Sequence, residues 1–238
     1  MKSALLMFVL LGSIASAEPF CVAYMSGIGC PHCANADPYV LGEYLEMYPN
    51  LVVIDYEVFQ ERQNSQMVSL YNSRYESGLG VPVLVISQNE SLAGDTPIIN
   101  GLPSLVNGSS ENYCPLPDST VPFGNLDINS LPALPKLWHN GRVLYKTGNG
   151  YVNSSIKDLL LTDDISGTLA GLDYAEGGPV SIATAAGQVN FSDSAIFGNW
   201  VFAWNREQGN EYPYVFVVLI ASAALIFLLL WKCGVLRR

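Results

Sequence analysis

The chain has 238 residues, half of them hydrophobic, and its 21 acidic against 11 basic residues give a formal net charge of −10. This excess of negative charge argues against a nucleic acid as partner, because nucleic-acid binding requires basic side chains that neutralise phosphates. It is typical instead of an acidic, solvent-facing protein surface.

The two ends of the chain carry targeting patterns. Residues 1–17 combine a basic start, an apolar run and an Ala-Ser-Ala end, which predicts a secretory signal peptide removed before Glu18. Residues 213–231 are apolar and uncharged, and a helix of about 18 residues spans about 27 Å of bilayer. Basic residues follow in the tail at 232–238, which the positive-inside rule assigns to the cytoplasm. We therefore expect a single-pass membrane protein, held in the membrane by one C-terminal helix, with an extracytoplasmic N-terminal domain.

Residues 18–115 alternate between strand and helix patterns. Runs of β-branched and aromatic residues predict strands, whereas apolar residues three and four apart predict helices. In chain order, the predicted elements are a strand at 20–25, a helix at 31–48, a strand at 51–59, a helix at 61–77, strands at 82–87 and 96–99, and a short helix at 103–113. This alternation predicts an α/β sheet with helices on both faces.

A Cys-Pro-His-Cys motif lies where the first predicted strand gives way to the first helix. Two cysteines at this spacing can form a reversible disulfide. A thiol at a helix N-terminus meets free backbone N–H groups and the positive end of the helix dipole, which favour the thiolate. Pro31 suits the first helical turn, and a protonated His32 adds positive charge. We therefore expect Cys30 to be the nucleophile and Cys33 the resolving thiol.

The same spacing also occurs in half of a zinc site and in structural disulfides. A zinc site needs further ligands, and the chain has only His32 and His139 as histidines and no second Cys-x-x-Cys. A disulfide that closes so short a loop constrains little of the unfolded chain. Redox chemistry is thus the favoured interpretation, and neither a metal nor a cofactor is expected.

Several motifs of residues 18–115 resemble the thioredoxin-like superfamily. Cys-Pro-His-Cys is the DsbA-type form of its motif, and Pro38 stands where thioredoxins carry the proline that kinks the first helix. Residues 80–85 are similar to the segment that holds the superfamily's cis-proline. The resemblance implies a cis bond before Pro82, close to the cysteines. It also implies that Val81 and Pro82 bind the substrate backbone.

Two positions depart from the superfamily's pattern. Gly29 stands in place of the tryptophan that usually precedes the first cysteine. Tyr24 stands in place of a buried acid that helps proton transfer from the second cysteine.

Other residues of the predicted extracytoplasmic part are candidates for covalent modification. Cys21 and Cys114 either form a structural disulfide, or Cys21 is simply a buried strand residue. Four Asn-x-Ser sequons are candidate glycosylation sites; these are Asn89, Asn107, Asn153 and Asn190.

Residues 116–133 are rich in Pro, Ser and Asn and predict a linker. Residues 134–210 then predict a hairpin with an Asn-Gly turn, a short helix and three strands, with His139 exposed beside the turn. Two arrangements fit. Either the thioredoxin-like domain ends near Cys114 and a separate β-rich module follows, or a long insertion interrupts the fold, since the hairpin and helix also resemble the end of a thioredoxin fold. The first is favoured, because a strand and a helix are already available before Cys114.

The predicted fold class is thus α/β, with a thioredoxin-like fold over 18–115, a small β-rich module over 134–210 and a single transmembrane helix. Two functions remain open. The favoured one is a membrane-tethered thiol–disulfide oxidoreductase that acts on protein thiols or disulfides through Cys30 and Cys33, as an oxidase or isomerase, together with an unidentified redox partner. The alternative is a binding or chaperone-like ectodomain whose dithiol is regulatory or structural.

Overall fold

The computed structural model describes residues 18–108 and 113–205. Its first part contains β1 (Phe20–Ser26), α1 (Pro31–Pro38), a π-helical turn (Tyr39–Glu43), α2 (Tyr44–Met47), β2 (Leu51–Glu57), a 3₁₀ turn (Arg62–Asn64), α3 (Met67–Tyr75), β3 (Val83–Ser87), β4 (Glu90–Ala93) and α4 (Asp95–Gly108). β1 and β2 are buried along their whole length, as expected for parallel neighbours at the centre of a sheet that is covered on both faces.

The second part is richer in strands. It contains β5 (Cys114–Pro115), β6 (Thr120–Val121), 3₁₀ turns (Phe123–Asn125 and Ile128–Ser130), β7 (Lys136–His139), β8 (Arg142–Lys146), a 3₁₀ segment (Ser154–Leu160), α5 (Ile165–Ala170), β9 (Ala175–Gly177), β10 (Val180–Thr184), β11 (Gly187–Phe191), β12 (Asp193–Phe197) and β13 (Trp200–Trp204). All described residues belong to one compact unit.

One nine-stranded sheet runs through both parts, in the order β4-β3-β1-β2-β7-β8-β13-β12-β9. β1 is parallel to β2 and antiparallel to β3, and β7 joins the other edge of β2 antiparallel. Successive side chains of β1 enter two different hydrophobic clusters, Cys21 in one and Val22 in the other, because neighbouring residues of a strand face opposite sides. The β10–β11 hairpin forms a small sheet of its own and packs in the same cluster as α1 and α2.

The fold class predicted from the sequence is wrong about the later residues. They do not build a separate β-rich module, because β7, β8, β13, β12 and β9 extend the sheet of the first part from the edge of β2. That edge consists of buried β-branched residues such as Val53 and Ile54, which pair with Trp138 and Leu137 of β7. A strand buried on both faces needs a partner on each edge, and the hairpin β7–β8 supplies it.

The predicted membrane topology is corrected as well. No helix within residues 18–108 or 113–205 is long and apolar enough to cross a membrane. This finding contradicts the transmembrane helix in the predicted fold class and the predicted localisation as a single-pass membrane protein. The predicted signal peptide (1–17), transmembrane segment (213–231) and tail (232–238) lie outside the described residues.

Two local predictions are also wrong. Residues 96–99 are not a strand but the first turn of α4, where Pro97 is well tolerated, and the hairpin partner of β3 is β4. His139 is buried rather than exposed, and its Nδ1 lies 2.8 Å from the carbonyl oxygen of Leu51. Burial lowers the pKa of His139 below its usual value, because the charged imidazolium is poorly solvated there.

Candidate functional site

The two cysteines of the motif stand at the start of α1 in different environments. Cys30 is the N-cap residue of the helix, and its Sγ accepts a hydrogen bond from the backbone N–H of Cys33 at 3.1 Å. Cys30 is 9% exposed, whereas Cys33 is completely buried, and the two are not bonded to each other. Burial, followed by the contact with Cys30, raises the pKa of the Cys33 thiol. Cys33 is therefore a protonated thiol at neutral pH.

The turn before the helix depends on Gly29. Its φ of 95° lies in the left-handed region, which costs little only for glycine. A tryptophan at this position would be strained, so the departure from the thioredoxin pattern follows from the local backbone. At the other end of α1, Pro38 has no N–H to continue the α-helical ladder, and the π-helical turn begins directly after it.

The segment before β3 lies next to the motif. The Val81–Pro82 bond is cis. The Sγ of Cys30 lies 3.8 Å from the carbonyl oxygen of Val81. Thus four of the predicted site residues, Cys30, Cys33, Val81 and Pro82, come together although 51 residues separate Cys30 from Val81.

His32 points to a different neighbour. Its side chain is 70% exposed, and its Nδ1 lies 3.1 Å from Oδ2 of Asp95 in α4. The same carboxylate oxygen accepts a hydrogen bond from the side-chain amide of Asn35 at 2.8 Å. Hydrogen bonds from Asn35 and His32 lower the pKa of Asp95 to about 2. His32 therefore connects the start of α1 to α4, while Pro31 occupies the first helical turn.

A buried carboxylate lies on the same face of α1 as Cys33. Asp37 follows Cys33 by four residues, which places the two side chains next to each other on the helix. Its Oδ1 accepts a hydrogen bond from the hydroxyl of Tyr24 at 2.8 Å, and its Oδ2 accepts one from the backbone N–H of Ala185 at 2.6 Å. Burial raises the pKa of Asp37, and its charge in turn contributes to the raised pKa of Cys33.

A second buried carboxylate stands beside Tyr24 in the sheet. Asp55 of β2 is in register with Tyr24 of β1 on one side and with Lys136 of β7 on the other. The hydroxyl of Ser26 donates to its Oδ1 at 3.2 Å. Burial raises the pKa of Asp55 to about 7, although Lys136 opposes the shift.

Sequence reasoning missed both carboxylates. It noted Tyr24 but neither of the two acids beside it, which lie on the neighbouring helix and strand. The four-residue spacing from Cys33 was a usable signal for Asp37. Asp55 could not be identified from the sequence, because no local pattern indicates that β7 pairs with β2 and buries it.

Glu57, at the end of β2, holds the loop in front of Cys30. Its carboxylate accepts a hydrogen bond from the backbone N–H of Ile28 at 2.8 Å and three more from residues 59–61. Burial opposes the charge of Glu57, but these four donors outweigh it and lower its pKa. The loops near the motif also carry exposed apolar side chains, Phe59 at 56% and Leu79 at 72%.

A cleft of about 370 Å³ opens beside this loop. Both parts of the chain line it; the lining residues used below are Ile28, Glu57, Lys136, Ser181, Ile182 and Ala183. Since Ile28 is two residues before Cys30, the cleft begins next to the motif.

The remaining predicted residues lie away from the cysteine pair. A disulfide joins Cys21 of β1 to Cys114 of β5, and both are completely buried. The sequon asparagines Asn89, Asn107, Asn153 and Asn190 are all exposed, and the side chains of Asn153 and Asn190 accept hydrogen bonds from Ser155 and Ser181.

No protein-family model, curated protein or solved structure matches this chain. The geometry of the site itself indicates what it can do. A partly accessible sulfur at a helix start, a buried second thiol within reach and a nearby carboxylate are the groups that a two-step thiol–disulfide exchange requires.

Proposed function

We propose that the protein is a thiol–disulfide oxidoreductase that acts on protein cysteines. The observation that carries the proposal is the asymmetry of the pair: Cys30 caps α1 and keeps 9% of its surface exposed, whereas Cys33 is completely buried and has a raised pKa. A purely structural cysteine pair does not require one cysteine to be more accessible than the other. The resemblance of the motif and of the Val81–Pro82 segment to the thioredoxin-like superfamily supports the same conclusion.

The exchange proceeds in two balanced steps. The Cys30 thiolate attacks one sulfur of a substrate disulfide, so that the substrate S–S bond breaks, one substrate thiolate leaves and a mixed disulfide forms. Cys33 then loses its proton and attacks Sγ of Cys30, which releases the second substrate thiolate and leaves the Cys30–Cys33 disulfide. The reverse sequence oxidises two substrate thiols.

We assign Asp37 as the acceptor of the Cys33 proton. The second step needs a base, because the buried Cys33 is protonated at neutral pH. Asp37 lies on the same helix face, and its raised pKa makes it a stronger base than an exposed aspartate. The Tyr24 hydroxyl, which donates to Asp37, stabilises its charged form before the transfer.

Exposed apolar side chains around the motif favour a protein substrate over a small thiol. Phe59 and Leu79 are large and largely exposed, and such groups at a site commonly contact an apolar partner. An unfolded or partly folded chain presents both cysteines and apolar side chains.

An insulin-reduction assay with the full chain and a thiol reductant tests the function. We expect the wild type to accelerate reduction, Cys30→Ser to show only the background rate, and Cys33→Ser to accumulate a mixed disulfide. Brief alkylation of the reduced protein should modify Cys30 before Cys33. Equal labelling of both thiols, or wild-type activity of Cys30→Ser, would contradict the proposal and leave the binding-module alternative.

A further inference from the structure

The cleft beside Cys30 is bordered by a strand edge with no neighbouring strand. Within residues 18–108 and 113–205, β10 pairs with β11 alone. The register joins Thr184 to Gly187 across a turn of two residues, and two-residue turns close on a pair that exchanges both backbone hydrogen bonds. Because bonded and non-bonded pairs alternate, Ile182 is bonded to Val189, whereas Ser181 and Ala183 are not bonded to β11.

The backbone N–H and C=O groups of Ser181 and Ala183 therefore point away from the hairpin. Both residues line the cleft, as does Ile182 between them. In the described part of the chain, none of these outward backbone groups has a hydrogen-bond partner. The cleft thus presents a short row of alternating donors and acceptors, which is the surface that an added β-strand recognises.

The hairpin that carries this edge is held firmly. Ile182 is buried in the core, and the Phe191 ring packs against Trp138 with 6.1 Å between ring centroids. The N–H of Ala185 in the turn donates to the buried carboxylate of Asp37. The edge is therefore fixed relative to α1 and Cys30 before any ligand arrives, which reduces the entropic cost of binding.

The other side of the cleft leads to the reacting sulfur. Ile28 is anchored by Glu57 and lies two residues before Cys30. The Val81 carbonyl, which contacts Cys30, lies before β3, on the opposite side of β1 from β2 and β7. A chain bound at Val81 and passing over Cys30 would consequently continue into the cleft.

We propose that this cleft binds the polypeptide segment next to the substrate cysteine, as an extended strand added to the free edge of β10. The inference rests on the proposed function and specifies its substrate: an extended polypeptide rather than a small disulfide. Backbone recognition of this kind tolerates many side chains, so the enzyme would accept many unfolded sequences and disfavour cysteines inside folded structure.

Ala183→Pro tests the inference, since proline removes the outward N–H and fills its place, while the pairing of β10 with β11 does not use that group. The matched control is Gln188→Pro, which changes the residue directly opposite in β11, whose N–H points to the other edge. The probes for the full-length variants are oxidised glutathione and an unstructured peptide of about a dozen residues with one cysteine in a mixed disulfide with glutathione.

We expect Ala183→Pro to slow exchange with the peptide about tenfold, as loss of one backbone hydrogen bond would, and to leave the rate with oxidised glutathione unchanged. Gln188→Pro should match the wild type with both probes. Equal peptide rates for Ala183→Pro and the wild type, or equal slowing by both prolines, would overturn the inference while the proposed function stands. A wild type that exchanges with neither probe would overturn the proposed function itself.

A second measurement does not depend on the folding of a proline variant. Cys33→Ser, which cannot resolve a mixed disulfide, is trapped with the peptide or with glutathione on Cys30. Amide hydrogen exchange at Ser181 and Ala183 should be slower in the peptide adduct than in the glutathione adduct. Identical exchange in the two adducts would show that the peptide does not reach the edge, and would refute the inference.

Discussion

The two described parts of the chain contribute to the site in different ways. Residues 18–108 contain both thiols, the helix that Cys30 caps and the Val81 carbonyl beside it. Residues 113–205 contain none of these groups, yet they supply one wall of the cleft and the backbone donor that holds Asp37. The two thiols and their immediate contacts are thus local to residues 18–108, whereas part of the surrounding cleft comes from distant sequence.

The largest effect is expected when the first part of the chain is produced without the second. A chain ending at Pro115 keeps both thiols and the Cys21–Cys114 disulfide but loses β7. We expect it not to fold cooperatively, because the buried edge of β2 would be left unpaired and exposed. Urea denaturation followed by circular dichroism measures this, with a chain ending at Asn205 as the control that should unfold cooperatively. Cooperative unfolding of the shorter chain would show that the first part is an independent domain.

The disulfide between Cys21 and Cys114 is a covalent tie between the two parts, with a sequence separation of 93 residues. For a loop of this length, the chain-entropy account gives a stabilisation of about 4–5 kcal/mol. Replacing both cysteines with alanine should lower the free energy of unfolding by this amount and leave the Cys30–Cys33 chemistry in place. Denaturant titration of the double variant measures the loss. A loss below about 1 kcal/mol would mean that the unfolded chain is already compact near this pair.

The same two parts of the chain differ in how much of the site could be predicted from the sequence. The strand-to-helix position of the motif, with Cys30 at the start of the helix, and the cis bond at Pro82 could be expected from short stretches of sequence. The order of strand and helix in residues 18–108 could be expected too, because its elements have clear periodicity. Here the error was local: three of residues 96–99 are β-branched, but Pro97 and the following pattern favour a helix start.

The later strands could be predicted, but not their partners. The pattern of residues 134–210 predicts one hairpin, which is β7–β8, and three further strands, which correspond to β10, β11 and β13. No local pattern specifies that β7 pairs with β2, whose paired residues lie 81–85 positions earlier in the chain. The same pairing brings Nδ1 of His139 to 2.8 Å from the carbonyl oxygen of Leu51, 88 positions earlier. The burial of His139 and of Asp55 depends on that pairing, and so both were missed.

The pairing of β2 with β7 also makes stability depend on pH. The folded state holds the pKa of Asp55 at about 7, above its usual 3.8, so it binds a proton that the unfolded chain releases. This stabilising contribution is complete below pH 3.8 and is lost as the pH rises to about 7. Over that interval the loss amounts to about 4 kcal/mol.

Asp55→Asn removes this titration and keeps an acceptor for Ser26. Its stability relative to the wild type should therefore rise between pH 4 and pH 8, by an amount approaching that figure. Urea titrations at the two pH values measure the change. Asp173→Asn, at an exposed position, is the control and should stay within about 0.5 kcal/mol of the wild type. A constant difference between Asp55→Asn and the wild type would show that Asp55 is not buried by β7.

The smallest expected effect concerns the hydrogen bond that Ala185, in the second part, donates to Asp37. Ala185→Pro deletes the N–H that donates to Oδ2 of Asp37. Ala185 is the first residue of a two-residue turn and does not have a positive φ, so the fixed negative φ of proline fits there. A hydrogen bond to a charged group contributes about 1.5–3 kcal/mol, and water entering the turn offsets part of this. We expect a loss of about 1–2 kcal/mol.

Tyr24→Phe is the matched comparison, because it deletes the side-chain donor that the first part of the chain supplies to the same carboxylate. If Asp37 accepts the proton of Cys33, both variants should raise the pH at which the mixed disulfide resolves, since each removes a group that stabilises the charged carboxylate. Stopped-flow measurement of resolution against pH distinguishes this from a purely structural role. Should only Tyr24→Phe shift the profile, the second part of the chain would shape the cleft without acting on the proton.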